Sequence, residues 1–400
     1  MRGGGDGRGR DVVYLSAVDW TFRRLFHHYI CDEIVARSGR VVFIENTGAR
    51  WPRLRDASRV LVRARRILAA RGRSLNAGGD GQITVVPPVV LPAHSLTSSL
   101  NRELLRWQLR RAVPWLDAPN AVAWITLPNR TALDLLDWLR PKATIYFCAD
   151  EFAAVPGIAS DVTACEDELL RRSNIIFVTS ERLRVLCSRF GAEPIFVPGG
   201  VDFAAFASAA HGELACPSPL RDVRGHVIGY IGGLNHKVDV ELLEKVARAF
   251  QEDTIVVLGD VDDDRYTPAP ARNLRVLPRR PHEELPAFLQ RFDVCMIPYE
   301  VGPFTRSVYP AKLNEYLAAG RPVVSTALPE VLRMRDVVRV AANHEAFIRE
   351  IALALRDDMT CEGSRRRVAA AKRNDYRRII PPMLDTVDRL IARAGLLHGR

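Results

Sequence analysis

Two series of short, β-branched apolar runs, each alternating with helical segments, constrain this chain more than any other feature. The first comprises DVVYLSA (11–17), RVVFIEN (40–46), QITVVPPVV (82–90), AVAWITLP (121–128), TIYFCAD (144–150), NIIFVTS (174–180) and EPIFVPGG (193–200). The second restarts with HVIGYIGG (226–233) and continues through TIVVLGD (254–260), NLRVLP (273–278), DVCMIPY (293–299), RPVVST (321–326) and VVRVAA (337–342). Between them, AHGELACPSPLRDVRG (210–225) supplies the Pro, Gly and small residues of a connection. Runs apolar on both faces and separated by helices indicate parallel sheets covered on each side. The reading is an α/β fold of two Rossmann-like, doubly wound parallel-sheet domains. These are 1–200 and 201–380, with 381–400 as a C-terminal helix able to pack back on the first domain. Ligands of such sheets sit beyond the carboxyl ends of the strands, so two domains facing one another are expected to share a central cleft.

Four hundred residues exceed what one core usually serves, and 48% hydrophobic content suits a globular chain. No run reaches the roughly 18 uninterrupted apolar residues of a membrane-spanning helix. The opening MRGGGDGRGR lacks the apolar core of a signal peptide, so a cytoplasmic protein is expected. Seven cysteines (31, 148, 165, 187, 216, 295, 361) show no metal-ligand spacing and read as buried thiols, with neither disulfide nor structural zinc. The net charge of +10 is carried almost wholly by arginine. Eight arginines fall between Arg53 and Arg73, with apolar residues at helical spacing, and Trp107 stands among Arg106, Arg110 and Arg111. Arginine over aliphatic and Trp residues fits a surface touching anionic headgroups, and Arg59, Arg63, Arg66 and Trp107 are the expected membrane or acceptor contacts. A solvated helix face is the alternative. A basic nucleic-acid binder would need an aromatic platform or a recognisable module, and neither is present, so no nucleic-acid partner is expected.

The chemistry concentrates at strand ends. In SVYPAKLNEYLAAGRPVVST (307–326), Pro310 opens a short helix and Gly320 closes it. The free N–H groups around residues 308–312 then form an anion site at the helix start, with Ser307, Val308, Tyr309, Pro310 and Lys312 as its expected residues. Lys312 and Glu315 share one helix face, where a lysine brings a point charge to a phosphate and a carboxylate accepts both hydroxyls of a ribose. That combination recognises a nucleoside diphosphate; the alternative is an i,i+3 surface salt bridge. In YIGGLNHKVD (230–239), Gly232 and Gly233 permit close approach to a pyrophosphate, and Lys237 adds charge. The glycines lack G-x-G-x-x-G spacing, which disfavours dinucleotide redox chemistry. Asp150 ends the run TIYFCAD and could accept an acceptor proton, or cap the next segment. His27 and His28 read as structural, and DVDDD (260–264) as a solvated acidic loop, with no metal site expected.

With these residues in hand, 226–342 resembles the nucleotide-sugar-binding domain of group 1 glycosyltransferases of the GT-B fold. In that family P-x-K-x-x-E-Y-L-A-x-G-x-P-V-V is a familiar pattern. TIYFCADEFAAVPG (144–157), LLRRSNIIFVTSERL (169–183) and VPGGVD (197–202) resemble matching segments of the same enzymes. The resemblance implies metal-independent, cofactor-free transfer of a sugar from a nucleotide-diphospho-sugar to a hydroxyl of a lipid-linked or cell-envelope polysaccharide. It also implies Asp150 as catalytic base, as in some inverting relatives, while the arginine-rich segments at 53–73 and 102–111 would place such an enzyme on the inner face of the plasma membrane. Many retaining members carry a Glu eight positions before the ribose-binding one, where Ser307 stands here. A nucleotide-sugar 2-epimerase of similar fold is the rival enzyme.

Overall fold

The computed structural model describes residues 10–21, 24–47, 73–76, 82–90, 98–210, 212, 214–357 and 360–397. Arg59, Arg63 and Arg66 lie outside the described residues. The chain divides into two compact units, Met1–Val197 with Ile380–Arg400, and Pro198–Ile379.

Unit 1 runs β1 (Asp11–Leu15), α1 (Phe26–Ala36), β2 (Arg40–Ile44), β3 (Arg73–Asn76), β4 (Gln82–Val86), α2 (Ser98–Ala112), β5 (Val122–Ile125), α3 (Arg130–Leu139), β6 (Ala143–Cys148), α4 (Val162–Arg172), β7 (Ile175–Val178), α5 (Glu181–Cys187) and β8 (Ile195–Phe196). The sheet order is β3-β4-β2-β1-β5-β6-β7-β8. β1 pairs in parallel with β2 and β5, so chain direction across the sheet reverses beside it. One face of the central strands packs Val13, Leu15, Ala123 and Ile125 against helices; the other stacks Trp124 between Tyr14 and Phe177. The expected parallel sheet carries one added edge strand, β3, which runs antiparallel to β4. Its sequence, RSLN, lacks apolar alternation, so nothing in the side chains marked it as a strand.

Unit 2 holds α6 (Phe203–Ala207), β9 (Val227–Ile231), α7 (Val240–Ala249), β10 (Thr254–Leu258), β11 (Leu274–Leu277), α8 (Leu285–Arg291), β12 (Val294–Ile297), α9 (Ala311–Ala318), β13 (Val323–Thr326), α10 (Pro329–Leu332), β14 (Arg339–Ala341), α11 (His344–Asp357) and α12 (Cys361–Arg373). All ladders of the order β11-β10-β9-β12-β13-β14 are parallel. The strand order switches between β9 and β12, which sets a crevice at their carboxyl ends.

The last helix, α13 (Tyr376–Leu397), begins ahead of the expected Pro381 and contains both Pro381 and Pro382. Its start is set by Asp375, whose side chain accepts from the Arg377 N–H at 3.0 Å. The division between the units falls within this helix, just ahead of the two prolines. Within unit 1, Asp385 and Asp388 of α13 accept from Arg37 at 2.7 and 3.3 Å, and Asp388 also pairs with Arg10. Among the described residues no helix is long and apolar enough to cross a membrane.

The histidine pair is structural. His28 Nδ1 accepts from the Leu25 N–H, which makes Nε2 the donor to the Trp20 carbonyl at 3.0 Å. His27 is 7% exposed and shares a 2.7 Å hydrogen bond with the Tyr14 hydroxyl. Burial, with a smaller push from His28, lowers its pKa to about 3. The unfolded chain therefore binds a proton here below about pH 6.5 that the folded one refuses, so stability falls as pH drops from there toward 3. The slope reaches up to about 1.4 kcal/mol per pH unit. Urea midpoints measured from pH 7 to pH 5 should decline less steeply for His27→Phe than for wild type; equal slopes would refute this.

Candidate donor-binding site in unit 2

Helix α9 forms because Leu313, Tyr316 and Leu317 repeat at helical spacing and are fully buried. Pro310 precedes its first turn, and Gly320 follows it at φ +71, with its N–H on the Leu317 carbonyl and that of Arg321 on Tyr316. Asn314 turns inward and donates to the Gly199 carbonyl, and Arg367 Nε donates to Gly320 O at 3.0 Å. The helix is thus held on several sides, and its polar residues have fixed places.

Lys312 and Glu315 are 4% and 7% exposed, so they are not a solvated surface pair. Lys312 Nζ donates to the hydroxyls of Tyr299 at 2.5 Å and Tyr230 at 3.2 Å. The Tyr230 hydroxyl in turn donates to the Gly233 carbonyl at 3.3 Å. A lysine, a tyrosine and the glycine loop after β9 are therefore one hydrogen-bonded unit. Gly232 stands at φ +152, and a Cβ there would lie 2.9 Å from Lys312 Nζ and 2.8 Å from the Tyr230 hydroxyl. Only a glycine leaves the ammonium this close to the backbone. Below the loop, Ile231 N donates to the Tyr316 hydroxyl at 2.8 Å, so α9 also supports the end of β9. Lys237 is half-buried, with Nζ 6.0 Å from the Tyr299 and Phe304 ring centroids. Two lysines thus flank Tyr299 where β9 and β12 end.

Glu315 Oε2 is buried without a hydrogen-bond partner. A buried carboxylate oxygen left unmatched costs about 1–3 kcal/mol or more. It is repaid when a ligand brings donors, and ribose hydroxyls are donors of that kind. His236 Nε2 is likewise buried and unpartnered, and burial followed by the charge of Lys237 lowers its pKa, keeping it neutral.

Other expected residues are placed differently. The amides of Ser307 and Val308 close a 3₁₀ turn on Phe304 O and Thr305 O at 3.3 and 3.2 Å. Ser307 Oγ also donates to Phe304 O at 2.8 Å. Their part in the expected anion site is therefore corrected: the turn takes those donors first. The Tyr309 ring packs on Gly199, where a Cβ would lie 2.2 Å away, and its hydroxyl reaches Met334 Sδ at 3.4 Å. It anchors the 198–200 segment. The acidic run 260–264 is satisfied locally, Asp263 by Arg265 and Asp260 by the Arg279 N–H. Tyr230, Tyr299 and Asn314 carry the site without a motif to mark them, although Tyr230 and Tyr299 each stand at a strand's carboxyl end.

In unit 1, Asp150 is half-buried two residues after β6, and Glu151 beside it takes both Arg182 Nε and an Arg182 terminal nitrogen at 2.7 and 2.9 Å. Trp107 of α2 is 53% exposed, with the Arg111 guanidinium 5.9 Å from its ring centroid.

Residues 225–357 match the family model of glycosyl transferases group 1. Over this stretch the chain is similar to the group 1 glycosyltransferases. Its relatives include TuaH of Bacillus subtilis (strain 168), named as a teichuronic acid biosynthesis glycosyltransferase, 28% identical over 232 residues. That match covers 53% of this chain and 57% of the relative, less than two thirds of its length. The fold is shared with a sucrose-phosphate synthase from Thermosynechococcus elongatus at TM-score 0.68 and 14% identity, covering 96% of this chain and all of that one. A glycosyltransferase from Rickettsia africae ESF-5 superposes at TM-score 0.66 and 9% identity, over 96% and 98% of the two chains. The α/β, GT-B fold class is therefore the expected one, with two Rossmann-like units.

Proposed function

We propose that this protein transfers a sugar from a nucleotide-diphospho-sugar to a hydroxyl of a lipid-linked or cell-envelope polysaccharide acceptor. The observation that carries the reading is the buried, unpartnered Glu315 Oε2 on the helix that also sets Lys312 against the Gly232 backbone. Glu315 takes the ribose, and Lys312, Lys237 and the Gly232–Gly233 loop take the diphosphate. Cleavage of the anomeric bond develops oxocarbenium character on the sugar and negative charge on the leaving diphosphate. Two fixed ammonium groups offset that charge without reorganising, so the reaction runs without a metal or a resident cofactor. Asp150 accepts the acceptor's proton. The name of the TuaH relative supports a cell-envelope acceptor, and the exposed Trp107 among arginines supports a cytoplasmic enzyme docked on anionic lipid.

The test is incubation of the full chain with UDP-, GDP- and dTDP-sugars, with and without lipid-linked acceptors in anionic vesicles. One donor should release its nucleoside diphosphate only when acceptor is present, and the protein should co-sediment with the vesicles at low salt. Conversion of a donor to its epimer without acceptor, or no turnover with any pair, would contradict the reading.

A further inference from the structure

A second chemical cluster lies in unit 1, built from three elements distant in sequence. Cys148 is the last residue of β6, Glu166 lies within α4 and Cys187 is the last residue of α5. One ligand atom from each comes within 4.8 Å of the other two, and Cys148 Sγ is 3.9 Å from Glu166 Oε1. We propose that Cys148, Glu166 and Cys187 form a binding site for a thiophilic divalent cation, Zn²⁺.

The geometry needs little adjustment. Zinc bonds of about 2.3 Å to sulfur and 2.0–2.2 Å to oxygen set tetrahedral ligand atoms roughly 3.4–3.8 Å apart. The outer contacts are already in place. Tyr146 donates to Glu166 Oε1 at 2.6 Å, and an Arg189 nitrogen to Oε2 at 3.2 Å, which fixes the carboxylate's orientation. Oε1 keeps a second lone pair for a metal. Both thiols are sealed, whereas the Glu166 side chain is 13% exposed, so entry and a water as fourth ligand come from its side.

The balance closes. Zn²⁺ plus two thiols and one carboxylate gives a bis-thiolate, carboxylate complex of charge −1 and two protons released to solvent. The Arg189 guanidinium offsets the remaining charge. Cys148 also donates to the Asp150 carbonyl at 3.6 Å, which puts the ion at the base of the turn bearing the proposed catalytic carboxylate.

The reduced full chain, stripped of metal, should bind one equivalent of Co²⁺ with thiolate charge-transfer absorption and tetrahedral visible bands. Zn²⁺ should bleach both and release two protons per ion from weakly buffered solution. Cys148→Ser and Cys187→Ser should each weaken binding by about a hundredfold, and Glu166→Gln by about tenfold. Cys295→Ser, a buried thiol elsewhere, should leave it unchanged. Zinc-edge absorption fine structure on the wild type should fit two sulfur and two oxygen neighbours, a readout independent of whether the variants fold. Absence of the thiolate band in folded wild type, a sulfur count other than two, or a band surviving in both cysteine variants would overturn the proposal.

Discussion

Glu315→Ala should weaken binding of the nucleotide-sugar donor by about a hundredfold or more while leaving the unliganded protein at least as stable as before. The two halves of that outcome have one cause. Hydrogen bonds to a charged group contribute about 1.5–3 kcal/mol each, so two ribose hydroxyls on one carboxylate amount to roughly 3–6 kcal/mol. In the unliganded protein the same carboxylate is a cost, because Oε2 is buried with no donor against it. Removing it loses the ligand's contacts and relieves the protein of an unmatched group, the usual opposition between a binding site and stability. Glu315→Gln keeps one acceptor oxygen and should lie between the two. Donor Kd by calorimetry and Tm without ligand are the paired measurements; a variant that loses Tm and keeps its affinity would reverse the account.

Gly259→Ala should do the opposite, damaging fold and site together. A Cβ at residue 259 would lie 2.2 Å from Gly232 O, 2.5 Å from Gly232 C and 2.9 Å from Gly233 N, all of them backbone atoms. No rotamer change removes such a clash, so the bend after β10 and the glycine loop must separate. The expected loss is about 3 kcal/mol, or roughly 6–12 °C in Tm for a domain of this size. The displaced loop also loses its hold on the diphosphate, because the Gly233 carbonyl and Lys312 share Tyr230. Gly302→Ala is the control: its added methyl meets open space, and Tm and donor affinity should stay as they are. A Gly259→Ala protein with unchanged Tm would contradict the packing described.

What could be read from the residues followed from burial. Strands such as VVYL, IIFV and VCMI are apolar on both faces because helices cover both, and that continuity is visible in one dimension. The helix carrying Lys312 and Glu315 was legible because its cap residues, apolar spacing and charged pair fall within ten positions. The partners that give those charges meaning were not. Tyr230 lies 82 residues from Lys312, and Asn314 holds Gly199 across 115. The amides of Ser307 and Val308 looked available because a 3₁₀ turn leaves little trace in sequence. Cys148, Glu166 and Cys187 show no ligand spacing because they converge from a strand end, a mid-helix and a helix end, an arrangement no local pattern encodes.

The most direct test of the donor site compares a nucleoside diphosphate with its 2′,3′-dideoxy analogue, titrated into wild-type and Glu315→Ala protein. If Glu315 grips the ribose, wild type prefers the ribose ligand by about a hundredfold, and the variant binds both with the same weak affinity. Equal affinity of wild type for the two ligands, or a preference that survives in the variant, would contradict it.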